Sequence, residues 1–156
     1  MDTGYFHMDI RNRRRLFYAF NIIVPLAMGF FFYIRFRHDS YISEAVGRFI
    51  ALPEGPGLLP QRMISFIVDF GSDILWAYSL AFSVMAVLSY SRSALRTAFV
   101  TCVSLGILTE VLQKADVFHG TFDLWDIVFE VLSVIMALII IKLFEEARYE
   151  KNSSRT

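Results

Sequence analysis

The chain has 156 residues, of which 56% are hydrophobic and 16% aromatic, and its mean hydropathy is +0.50. A soluble domain is roughly 45–50% apolar, so this composition excludes an ordinary water-soluble fold and points to a small integral membrane protein. The 15 basic and 15 acidic residues cancel and form no long basic face, which excludes nucleic acid as a partner, while a single cysteine, Cys102, excludes an intrachain disulfide and any cysteine-based metal site.

In chain order, residues 1–15 form a basic segment carrying Arg11, Arg13, Arg14 and Arg15. Residues 16–36 are expected to be the first transmembrane helix, because Leu16–Ile34 is free of charge and close to the roughly 20 apolar residues a spanning helix needs. Pro25 and Gly29 are its kink candidates. No small-x-small cleavage site closely follows the run, so it reads as a retained signal-anchor. Residues 37–71 are expected to be a long outer loop in three parts. Ser40–Leu52 has the spacing of a short interfacial helix, PEGPGLLP is a turn or extended connector, and Gln61–Phe70 either opens the second span or lies on the outer surface. The remaining spans are expected near residues 72–90, 95–113 and 122–144, so that residues 72–144 form the core. Residues 145–156 are expected to be a polar cytoplasmic tail in which the last helix frays. The fold class is therefore an all-α integral membrane protein with four transmembrane helices. Ten of the 15 Lys and Arg residues face the cytoplasm if both termini do, and this bias predicts an N-in, C-in topology.

That topology brings the acids to one leaflet. Asp69 and Asp73 open the second span, Glu110 and Gln113 close the third, and Asp123, Asp126 and Glu130 open the fourth. The spacings i,i+4, then i,i+3, then i,i+3,i+7 put each set on one helical face. Depth sharpens the point, because Val131–Ile141 provides about 16 Å of charge-free helix where about 30 Å must be crossed. Glu130 must then sit within the membrane's thickness; Asp126 is expected there too, and Glu110 by a weaker form of the same argument. Carboxylates at that depth face a bundle interior, find partners or take up a proton. Asp123 needs no function, since it can cap free N–H groups at the helix start, where the helix dipole also favours it. Arg35, Arg37, His38, Arg48, Arg62, Lys114 and His119 are candidate partners on the same side. Trp76, Tyr78 and Trp125 suit an interfacial aromatic belt. No Ser-His-Asp order, HExxH or glycine-rich phosphate loop occurs, and the histidines are scattered. The acids could hold Mg²⁺ or Ca²⁺ or do acid–base work, without a specific signal for either.

Three stretches are similar to the VanZ-like family of small bacterial membrane proteins. They are Asp73-Ile-Leu-Trp-Ala-Tyr78 opening a span, Thr109-Glu110-Val-Leu-Gln113 closing the next, and Gly120-Thr-Phe-Asp123-Leu-Trp-Asp126 opening the last. The resemblance covers roughly Ser72–Lys142. The chain departs from the family's pattern at Glu130-Val-Leu-Ser133, where better-known members carry Asn-x-x-Gly, and at Ile74, beside which they often have a histidine. What the resemblance implies is a multi-pass inner (plasma) membrane protein of the bacterial cell envelope, with relatives associated with reduced susceptibility to glycopeptides of the teicoplanin type.

Three functional readings stand open beside a purely structural salt-bridge network. In the first, an outward-facing acidic pocket recognises an envelope lipid or lipid-linked precursor, directly or through a divalent cation, with Glu110, Gln113, Asp123 and Asp126 in contact and Asp73 and Glu130 behind them. In the second, the chain is a non-catalytic interaction subunit docked on a membrane protein partner. In the third, it is an intramembrane hydrolase or transferase of lipid phosphates.

Overall fold

The computed structural model describes residues 10–36, 60–117 and 123–153. The interfacial helix expected over Ser40–Leu52, the cations Arg37, His38, Arg48 and His119, and the stretch Gly120–Phe122 lie outside the described residues. The described residues are helical without a strand: α1 (Ile10–Phe36), α2 (Gln61–Phe66), a π-helical turn (Ile67–Gly71), α3 (Ser72–Val87), α4 (Arg92–Lys114) and α5 (Leu124–Ser153). Four candidate spans are long and apolar enough to cross a membrane, namely Asn12–Arg35, Arg62–Val87, Arg92–Lys114 and Leu124–Glu150. The chain is thus a multi-pass membrane protein.

The second and fourth spans differ from the sequence expectation. Of the two courses open to Gln61–Phe70 it takes the first and opens the second span: it continues into α3 through the π turn, so the span starts at Arg62 rather than near residue 72. It closes at Val87, short of Tyr90, because Leu88 turns extended (φ −81°, ψ 143°) and Ser91 then caps α4, its Oγ accepting the Ala94 N–H at 3.0 Å. At the other extreme α5 does not fray after Phe144. It runs 30 residues, about 45 Å, to Ser153.

The second span is the centre of the bundle. Within its apolar window 44% of residues are buried, against 17–22% in the other three, and α3 packs on α1, α4 and α5 alike. The core joins Phe82 and Met85 of α3 to Tyr18 of α1, Ala94 and Ala98 of α4, and Val134, Ala137 and Ile141 of α5. Small residues at these positions let the backbones approach, which is how helices associate where lipid removes the hydrophobic drive between them. Polar links add direction. Ser133 of α5, buried, donates to the Ile74 carbonyl of α3 at 2.6 Å, and Tyr78 of α3 donates to Asn21 of α1 at 2.7 Å. α1 remains one helix through Pro25.

The two ends of the bundle are chemically distinct. The start of α1, the α3–α4 turn and the last turns of α5 meet at one, hereafter the basic end, where Arg14 touches Glu145 and Tyr90 lies beside Arg148 and Tyr149. The end of α4 and the start of α5 meet at the other, the acidic end.

Candidate functional site

Along α4, Ala94, Ala98, Cys102, Gly106 and Glu110 recur every fourth residue and form its inward ridge. The ridge ends in Glu110, only 3% exposed, whose Oε2 accepts the Asp123 backbone N–H at 3.2 Å. Glu110 thereby ties the end of α4 to the start of α5. Asp123 caps α5 as expected, its Oδ1 accepting the Trp125 N–H at 2.9 Å, and the Asp126 N–H bonds the Asp123 carbonyl to begin the first turn. Two turns deeper, the Glu130 carboxylate lies against Gly106, in the space a Cβ there would fill. Asp73, Glu110 and Asp126 all stand close enough to act on Glu130 through their charge.

The structure therefore brings Asp73, Glu110, Asp123, Asp126 and Glu130 to one end of three helices. Gln113 is half-buried one turn beyond Glu110, where its carbonyl accepts the Asp116 N–H that closes α4. Asp69 does not join Asp73 on one face. It is exposed within the π turn, whose i→i+5 bonding breaks the 3.6-residue period on which the i,i+4 coincidence depends.

Glu130 is the carboxylate that reaches open space. A cavity of about 400 Å³ lies between α1, α3 and α4, with Trp76, Ser79, Ser83, Gly106 and Thr109 among its walls and Glu130 contributed by α5. Cys102 lines it too, which places it near mid-span rather than at the mouth of the acidic end. Glu130 forms no hydrogen bond or ion pair with a described residue. Trp76 and Tyr78, expected in an interfacial belt, instead face α1. The Trp76 indole lies 2.7 Å from where a Gly29 Cβ would stand, its Nε1 is buried without a hydrogen bond to a described group, and Tyr78 binds Asn21. Trp125 is 62% exposed.

Among the described residues no three His, Cys, Asp or Glu side chains converge tightly enough to hold a metal ion. Asp73, Glu110, Asp123, Asp126 and Glu130 share the acidic end as a cluster of carboxylates. Chemically, such a cluster can accept hydrogen bonds and balance positive charge.

Sequence reasoning missed a buried and well-satisfied carboxylate at the opposite end. Glu145, assigned to the tail, is 6% exposed and takes three donors: Arg14 Nε at 2.6 Å and Tyr18 OH at 3.1 Å on Oε1, and Arg148 Nη1 at 3.1 Å on Oε2. Arg14 also lies over the Tyr18 ring, 4.9 Å from its centroid. The signal was present in the spacing, since Val134, Ala137, Ile141, Glu145 and Arg148 continue one inward stripe past the last apolar residue.

No family model, curated protein or solved structure matches the chain.

Proposed function

We propose that the chain is a VanZ-like protein of the bacterial inner membrane, with both termini cytoplasmic and the acidic end facing outward, and that it recognises an envelope lipid or lipid-linked precursor through a positively charged group. The supporting observation is Glu130. It is half-buried, lines a cavity, and has no donor among the described residues, yet three further acids lie within reach of its charge. A carboxylate without a donor at membrane depth is costly unless compensated, and an ammonium-bearing ligand supplies Glu130 with both a donor and a countercharge. Bare phosphate would be repelled, so the recognised moiety carries an amine. The mid-span position of the cavity suits a molecule whose apolar part lies in the bilayer. In this reading Glu130 meets the ligand, Asp73 and Asp126 support it electrostatically, and Glu110, Gln113 and Asp123 hold the ends of α4 and α5 in place.

The test is expression in a teicoplanin-susceptible bacterial host, comparing wild type with Glu130→Gln and Asp126→Asn, with the membrane abundance of each measured in parallel. Wild type is expected to raise the inhibitory concentration, and both variants to accumulate normally and lose that protection. Equal protection by the charge-neutral variants would overturn the site, and no protection by wild type would sink the link to the envelope antibiotic. Variants that vanish from the membrane would instead show the acids to be helix glue.

A further inference from the structure

The basic end contains a second and larger cavity, of about 840 Å³, at the junction of the α3–α4 turn, the start of α4 and the last turns of α5. Its walls carry four cations, Arg92, Arg96, Lys142 and Arg148, against two carboxylates, Glu145 and Glu146. The carboxylates are already engaged: both oxygens of Glu145 accept from Arg14, Tyr18 and Arg148, and Glu146 lies 3.9 Å from Lys142. Arg92 and Arg96 form no ion pair with any described residue. The cavity thus keeps a surplus of positive charge, with the hydroxyl-bearing rings of Tyr90 and Tyr149 at its edge.

Directly below it runs a groove of about 440 Å³ between α4 and α5. Arg96 and Lys142 line both spaces and stand at the junction. Beyond them the groove is wholly apolar, with Phe99 and Val100 on one wall and Ile135, Leu138 and Ile139 on the other. From Lys142 to Ile135 it follows about 10 Å of helix toward the membrane interior. A basic head space opening into an apolar channel matches an anionic lipid, whose phosphate needs cations at the interface and whose chain needs a dry wall beneath them. A soluble anion would use the first and leave the second idle.

We propose that the basic end holds an anionic phospholipid, with its phosphate headgroup among Arg92, Arg96 and Lys142 and an acyl chain in the α4–α5 groove. This site is separate from the acidic end and does not depend on what that end binds.

The experiment uses the full-length protein purified in mild detergent, titrated with phosphatidylglycerol and with phosphatidylcholine and read by native mass spectrometry and by the melting temperature. Phosphatidylglycerol should bind at least tenfold more tightly than phosphatidylcholine. The double variant Arg96→Gln, Lys142→Gln, at exposed positions outside the Glu145 cluster, should weaken phosphatidylglycerol at least tenfold, leave phosphatidylcholine unchanged, and melt like wild type without lipid. Ile139→Trp, which fills the groove from a half-exposed position, should weaken both lipids. Glycerol phosphate, tested as a competitor, should fail to displace phosphatidylglycerol at equal concentration. Equal affinity for the two lipids, or an undiminished preference in the double variant, would overturn the headgroup assignment. Displacement by glycerol phosphate, or full binding by Ile139→Trp, would show a site for a soluble anion and overturn the lipid.

Discussion

At the scale of single residues, the contrast between Glu145 and Glu130 is instructive because both are acids on α5 facing the bundle. Glu145 meets two arginines and a tyrosine, and its charge is satisfied from within the protein. Glu130 lies against Gly106 and lines a cavity, with no donor among the described residues. Hydrogen bonds to a charged group each contribute about 1.5–3 kcal/mol, but Arg14 and Arg148 are about one-third exposed, so solvent screening discounts the sum. Glu145→Ala is therefore expected to destabilise the protein by about 2 kcal/mol, leaving two cations facing each other, whereas Arg14→Gln should cost about 1 kcal/mol because Tyr18 and Arg148 still serve the carboxylate. Unfolding of the purified variants in mixed micelles measures both; an unchanged midpoint for Glu145→Ala would show that the cluster contributes nothing to stability. Glu145 was hidden in the sequence because hydropathy falls sharply at that point, and falling hydropathy reads as exit from the membrane. Its spacing on the inward stripe carried the opposite message.

At the scale of elements, the apolar windows were legible because spanning length and charge exclusion are coarse constraints that survive errors of several residues. What was not legible was how helices begin, end and change pitch. The π turn before α3 has no strong sequence signature, so the separation of Asp69 from Asp73 could not be read from a regular period. The end of α4 is a second case. Asp116 adopts a left-handed conformation (φ 56°), with its N–H on the Gln113 carbonyl and the Val117 N–H on the Leu112 carbonyl, both at 3.0 Å. This is a Schellman closure with aspartate where glycine is usual. A Cβ in that region is penalised by roughly 1 kcal/mol, and Asp116 is exposed, so Asp116→Gly should stabilise the protein by up to about 1 kcal/mol. A lower unfolding midpoint for Asp116→Gly would mean that the aspartate side chain contributes more at the acidic end than its backbone strain removes.

At the scale of the whole molecule, contacts between residues far apart in the chain decide which end is which, and no local pattern reveals them. Gly29 against Trp76, Ser133 against Ile74 and Arg14 against Glu145 fix an up-and-down bundle in which the first turns of α1, the α3–α4 turn and the last turns of α5 share one end. Among the described residues that end carries Arg13, Arg14, Arg15, Arg92, Arg96, Lys142 and Arg148, whereas Arg35, Arg62 and Lys114 are at the other. Basic residues close to span ends are retained on the cytoplasmic side, and the proposed orientation, which puts the basic end inside, is open to a direct test. Cys102 is buried and is the chain's single thiol, so Cys102→Ala provides a clean background for placing reporters. Ser89→Cys puts a thiol in the exposed α3–α4 turn, and Ala115→Cys puts one just beyond α4 at the acidic end. In spheroplasts a membrane-impermeant maleimide should label the thiol at position 115 and reach that at 89 only after the membrane is broken. The reverse pattern would turn the bundle over. It would move the acid cluster to the cytoplasmic face and the basic cavity to the outer leaflet, and the proposed recognition of an envelope precursor from outside would fall with it.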